Sequence, residues 1–282
     1  MGGAAATAQA YFSRFGREST TCHRSGPEFA VKLPLGRLLS QLQRAGCGRN
    51  SEVVQPSQLM PERFSERLRR KVAPIWNAQL EHPFVRGVGE GTLDIDRFKF
   101  WVRQDYIFLI EYARVLALAG ARSPHLGTMT RFAGLLSETL NTEMSLHRAY
   151  AAEFGISHAE LEQESPAPTT RAYTDSLVRV AATADYAELL AALLPCMWGF
   201  SEIGRSLAKL APPADQRYVK WIEMYSSAEF AELARWCREV LDEAAADLPE
   251  GALRKLEEVF LTSSRYEWQF WEMAWRLERW PV

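Results

Sequence analysis

The chain is predicted to fold as a single all-α domain, and two observations carry that expectation. Apolar residues recur at three- and four-residue spacing in segment after segment from position 61 onward. No stretch of comparable length alternates polar and apolar residues as a strand would. Seven or eight helices are expected, without an obvious internal repeat.

Residues 1–59 stand apart. They hold seven Lys/Arg against three Asp/Glu, scattered Gly and Ser, and poor helical periodicity. They are expected to be a poorly ordered extension, with an organelle transit peptide or an upstream-extended start as the two explanations left open. Met60 opens "MPERFSERLRR", where regular patterning begins, so residues 60–282 form the predicted domain.

The first predicted helix lies in "PERFSERLRRKVAPIWNAQL", where Phe64, Leu68, Val72, Ile75 and Trp76 make one apolar face. A Gly/Pro-rich turn, "EHPFVRGVGEGTLDIDRF", follows, with Asp94 or Asp96 placed to cap the next helix. That helix runs through "RFKFWVRQDYIFLIEYARVLALAGA" and stops near Ser123 and Pro124. Further helical segments are expected at about 126–154, 170–183, 186–210, 216–225, 228–246 and 253–280, separated by "ESPAPTT", "APPAD" and "DLPEG".

Composition excludes several classes of function. The chain has 282 residues, 47% of them hydrophobic, and a net charge of −2 with no dense basic run, so nucleic acid is not an expected partner. No apolar run reaches the ~20 residues of a membrane span. Cys22, Cys47, Cys196 and Cys237 show no C-x-x-C spacing, which signals neither a disulfide framework nor a zinc site. A reducing, cytoplasmic setting fits best, or an organelle if the extension is a transit peptide.

Three polar residues fall on faces that helical geometry buries. Asp105 is flanked by Trp101, Val102, Phe108, Leu109 and Tyr112. Glu267 is flanked by Phe260, Ser264, Phe270 and Trp271, and Cys196 shares a face with Phe200. Each alone reads as an ordinary core residue or a satisfied network member. Together they suit a flat, nitrogen-bearing heterocycle, with rings stacking on its faces and acids bonding its edge. Pro195 removes an amide donor, so its helix is expected to kink and restart at Cys196, where the helix dipole would favour thiolate. Glu267 would oppose this unless protonated in its apolar setting, the form a proton donor needs. Whether the two meet is open. Glu143 and His147, at i and i+4, are read as a network pair rather than metal ligands, because no second copy of a di-iron motif is present.

Over residues 62–280 the chain resembles the TenA/thiaminase II family of helical, haem-oxygenase-like enzymes. The resemblance rests on "HPFVRGVGEGTLDIDRFKFWVRQDY", "EMSLHR", "AELLAALLPCMWGFSEIG", "KWIEMYSS" and "SSRYEWQFWEMAWR", in family order. It implies a cofactor-free, metal-free hydrolase of thiamin salvage that converts 4-amino-5-aminomethyl-2-methylpyrimidine to its hydroxymethyl analogue and ammonia, with thiamin cleavage as a related activity. By the same resemblance Cys196 is the nucleophile, Glu267 shuttles protons, and Asp105 bonds the ring nitrogen and amino edge. Tyr173 and Tyr225 orient substrate and cysteine. Phe108 and Phe200 stand where some relatives carry tyrosine, and Ser201 where a second can occur. A homotetramer is implied. The alternative is a non-catalytic pyrimidine-binding protein on the same fold.

Overall fold

The computed structural model describes residues 62–282, so the expected extension at 1–59 lies outside the described residues. Among the described residues there are twelve α-helices and one π-helical turn and no strand, more helices than the seven or eight expected. The surplus has local causes. "PERFSERLRRKVAPIWNAQL" is two helices, α1 (Phe64–Lys71) and α2 (Ala73–Leu80), because Pro74 in the first turn of α2 ends the run at Val72. The apolar face survives the break: Leu68, Val72 and Trp76 are all buried. Part of the predicted turn is itself helical, as α3 (Pro83–Glu90). Pro83 suits the first helical position, and Gly91 ends the helix in the left-handed region at φ 70°.

Asp94 caps α4 (Ile95–Arg122), accepting from the Asp96 and Arg97 amides at 2.9 and 3.3 Å. The segment expected at 126–154 is α5 (Leu126–Glu138), the π turn (Thr139–Glu143) and α6 (Met144–Glu153). Ser157 and Glu160 then form a capping box for α7 (His158–Gln163). Next come α8 (Pro168–Thr183), α9 (Tyr186–Leu207), α10 (Gln216–Ser226), α11 (Ala228–Ala245) and α12 (Glu250–Arg276).

Helix α9 is apolar on nearly every side and is accordingly the buried centre, packed against α4, α8, α10, α11 and α12. Its approach to α10 depends on Gly204: a Cβ there would lie 2.5 Å from the Tyr225 carbonyl carbon and 2.7 Å from the Ser226 nitrogen. At the far end of α4, Arg122 donates to the carbonyls of Ala181 and Ala184, which satisfies groups that the end of α8 leaves without intrahelical partners. Two of the indole nitrogens in the aromatic layer are paired, while those of Trp101 and Trp221 are buried without a hydrogen-bond partner among the described residues. Trp76 Nε1 donates to Ser264 Oγ and Trp271 Nε1 to Gln79 Oε1, each at 3.1 Å.

Candidate active site

Pro195 does not divide α9. The helix runs unbroken from Tyr186 to Leu207, so Cys196 sits inside it and not at a fresh N-terminus. Proline removes one amide donor and crowds the carbonyl of Ala191, and the burial of flanking residues 189–194 and 197–201 outweighs that cost. Tyr112 adds a hydrogen bond from its hydroxyl to the Leu193 carbonyl at 3.2 Å, beside the proline. The expected thiolate-favouring dipole is therefore missing. Burial pushes the Cys196 thiol well up, and the charges of Glu267, Asp105 and Glu143 push it further. The resting cysteine is a thiol.

Cys196 is only partly buried because it lines a cavity, together with Met197 and Phe200 of its own helix. Across from it, α4 contributes Asp105, Phe108, Leu109 and Tyr112, which share one face at offsets of three, four and seven residues. A third wall comes from Leu135, Thr139, Glu143 and His147. A four-residue spacing overshoots a 3.6-residue turn by about 40° at each step. The wider π turn at Thr139–Glu143 offsets that drift and keeps the four on one side. Met224 and Tyr225 of α10, with Phe230 and Leu233 of α11, close the space. Apolar walls with a few convergent polar groups are the usual make-up of a small-molecule site.

Aromatic rings line the cavity and pack on one another. Phe200 and Tyr225 have centroids 4.9 Å apart, and Phe108 lies nearly parallel to Tyr112 at 5.5 Å. Of the seven residues singled out in the sequence, Asp105, Phe108, Cys196, Phe200 and Tyr225 meet in this one cavity. Tyr173 and Glu267 are behind its wall. Tyr173 packs on Phe108 at 5.2 Å and its hydroxyl donates to Glu267 Oε1. No hydrogen bond joins Glu267 to Cys196, but the two are close enough for the glutamate's charge to raise the thiol. Glu267 itself is pushed up to about 8 by burial, against the Tyr173 hydrogen bond and aided by Asp105. It is thus a neutral acid at pH 7. Ser201, the next residue after Phe200, is buried.

Two groups in the cavity were not among the expected site residues. His147 Nε2 is 2.8 Å from Asp105 Oδ2, and its Nδ1 is 3.2 Å from the Glu143 carbonyl oxygen. The Glu143 side chain accepts from Thr139 Oγ1 at 3.3 Å, and burial raises its pKa. The i, i+4 spacing of Glu143 and His147 marked them as a network pair, yet their partner on α4 is a long-range neighbour that periodicity does not reveal. Both ring nitrogens of His147 are engaged by oxygen atoms of the protein.

Comparison with known proteins places the chain among relatives. A family model described as TENA/THI-4/PQQC matches residues 69–277. The aminopyrimidine aminohydrolase of Halalkalibacterium halodurans is 46% identical over 218 residues, covering 77% of this chain and 97% of that protein. That of Bacillus subtilis is 39% identical, covering 77% of this chain and 92% of its own length. Among solved structures, a TenA homologue from P. horikoshii OT3 superposes with a TM-score of 0.72 at 30% identity, over 76% of this chain and 99% of that one. A Shewanella denitrificans domain described as having a heme oxygenase-like fold superposes with a TM-score of 0.59 at 18% identity, over 76% of this chain and 92% of that one, which is a likeness of fold alone.

Proposed function

The chain belongs to the TENA/THI-4/PQQC family, and from that premise we propose that it is an aminopyrimidine aminohydrolase. The reaction is hydrolysis of 4-amino-5-aminomethyl-2-methylpyrimidine to the 5-hydroxymethyl compound and ammonia. The observation that carries the reading is one aromatic cavity holding a thiol and a carboxylate, with a neutral acid of pKa about 8 immediately behind it.

In this reading the heterocycle lies between Phe108 and the Phe200–Tyr225 pair, with its ring nitrogen and amino group toward Asp105. The Cys196 S–H adds across the C=N bond of the other ring nitrogen, the one turned away from Asp105: sulfur takes the carbon and the proton goes to that nitrogen. Because the resting group is a thiol, the proton must move as sulfur attacks. The electron pair released into the ring expels the amine from the exocyclic methylene, and Glu267 supplies the proton that makes it ammonia. Water then adds to the methylene and returns its proton to Glu267, after which sulfur and the ring proton leave together and Cys196 is a thiol again. Tyr173 holds the Glu267 carboxyl in place throughout.

Support comes from the relatives named above, from the aromatic lining and from the opposite demands placed on two carboxyl groups, one open to the cavity and one enclosed. Thiamin, which carries the same pyrimidine on a thiazolium leaving group, is the proposed second substrate. Assembly as a homotetramer is proposed from the resemblance, and light scattering of the purified chain tests it. No described helix is long and apolar enough to cross a membrane.

The test is a time course of ammonia from the aminopyrimidine beside thiazole release from thiamin. Ammonia release by the parent protein and none from Cys196→Ala is the expected result. Ligand-dependent stabilisation without product would instead mark a binding protein.

A further inference from the structure

Two buried histidines in this molecule face different partners, and the difference decides their charge. His82 accepts a hydrogen bond at Nδ1 from the Phe84 amide at 3.2 Å, so Nδ1 has no proton and only Nε2, 3.0 Å from Glu272, donates. That ring is satisfied as a neutral imidazole. His147 has the Glu143 carbonyl oxygen against Nδ1, which can only accept, so Nδ1 carries a proton; against Nε2 it has an Asp105 carboxyl oxygen. Opposite an ionised Asp105, Nε2 carries a proton as well. Asp105 Oδ1, by contrast, has no hydrogen-bond partner among the described residues, although Asp105 is only 5 % exposed and lines the cavity.

We propose that His147 is a positioning residue for the ligand's nitrogen edge. As an imidazolium held between the Glu143 carbonyl and Asp105 Oδ2, it fixes Asp105 as a carboxylate with Oδ1 free, so the site takes the aminopyrimidine in its ring-protonated, amidinium form. This rests on the aminopyrimidine reading above. An amidinium edge presents two parallel N–H donors, which a carboxylate accepts as a fork, whereas a neutral ring presents one donor and one lone pair that a carboxylate repels.

The charges around the pair are consistent with a cationic ligand. Facing it are Glu143 from the π turn, Cys196 from α9, Tyr225 from α10 and Glu267 from α12. Cys196, Tyr225 and Glu267 are all raised by burial and stay neutral at pH 7. Arg148, the next residue on α6, is directed instead to the Tyr106 hydroxyl. Ligand-free, Asp105 and His147 cancel. An entering cation adds one positive charge, and the Glu143 carboxyl, whose pKa burial raises, lines the same cavity. The direction for His147 agrees: burial lowers its pKa, but the hydrogen bond and charge of Asp105 outweigh this and the net change is upward.

Nitrogen NMR of the ligand-free full chain, with His147→Gln used for assignment, reads the charge directly. Two protonated ring nitrogens are expected on His147 at about pH 7, beside a neutral His82 in the same spectrum. A neutral His147 overturns the proposal. Binding gives the second test, using 4-amino-5-hydroxymethyl-2-methylpyrimidine and its 2-trifluoromethyl counterpart, whose ring nitrogen is far less basic. The parent should prefer the methyl compound by about tenfold or more, the usual difference between a charge-assisted and a neutral hydrogen bond. His147→Gln keeps an N–H toward Asp105 but no charge, so it should lose most of that preference while its Tm stays close to the parent's. Equal affinity for the two ligands in the parent, or an unchanged preference in His147→Gln, overturns the proposal. Neither measurement needs turnover. A protein that shows the preference but releases no ammonia refutes the hydrolase and leaves the His147 assignment standing.

Discussion

Replacing Glu267 by Gln should make this protein more stable in alkali and change it little in acid. The carboxyl is buried among Phe270, Trp271 and Tyr173, and burial pushes its pKa from 4.5 to about 8. A raised value means the folded chain binds the proton more tightly than the unfolded chain. The stability this supplies is complete below about pH 4.5 and is lost as pH rises through about 8. At roughly 1.4 kcal/mol per pH unit, the distance between the two values corresponds to about 5 kcal/mol, of which about 4 fall between pH 5 and 9. Gln is neutral at every pH, has nearly the same shape, and keeps an oxygen for the Tyr173 hydroxyl. Urea unfolding of both proteins at about pH 5 and about pH 9 measures the effect as a difference of differences, so the other titrating groups cancel. The parent should lose about 4 kcal/mol more than the variant across that interval. Parallel pH dependences would show that Glu267 is not held neutral by the fold, and the case for it as the proton donor would go with it.

Three further outcomes are expected. Tyr173→Phe removes the hydrogen bond that favours ionised Glu267, so the alkaline limb of the ammonia-release profile should move up by about one to two pH units, the equivalent of the 1.5–3 kcal/mol of a hydrogen bond to a charged group. A limb that stays in place or moves to lower pH contradicts this. Cys196→Ser should abolish ammonia release while calorimetric binding of the hydroxymethyl product persists, since the aromatic walls and Asp105 are untouched. Gly204→Ala should cost about 1–3 kcal/mol in denaturant unfolding and raise KM, because the new Cβ meets α10 backbone at Tyr225 rather than a side chain that can turn away.

What could be read from the chain alone was whatever depends on short spacing. Helical periods gave the fold class, and the offsets around Asp105 and along Cys196 and Phe200 are enough to put those side chains on inward faces. Asp94 was legible as a cap for the same reason. Local rules failed where tertiary burial was stronger. Pro195 signalled a break, but a largely buried helix continues through a missing amide, and the thiol lost its expected dipole. Pro74 is exposed and did divide its segment, against the reading of one helix.

The encounter of Asp105 with His147, 42 residues apart, was decided only by the tertiary structure, as was the pairing of Tyr173 with Glu267 across 94. A hydrogen bond between helices depends on how those helices cross and on the register that the π turn sets, and neither is written in the spacing of one segment. The sequence by itself therefore determined which groups would be buried. Which of them would be charged followed from who faced whom: the neutral acid, the undissociated thiol and the engaged imidazole are properties of contacts between α4, the π turn with α6, α8, α9 and α12.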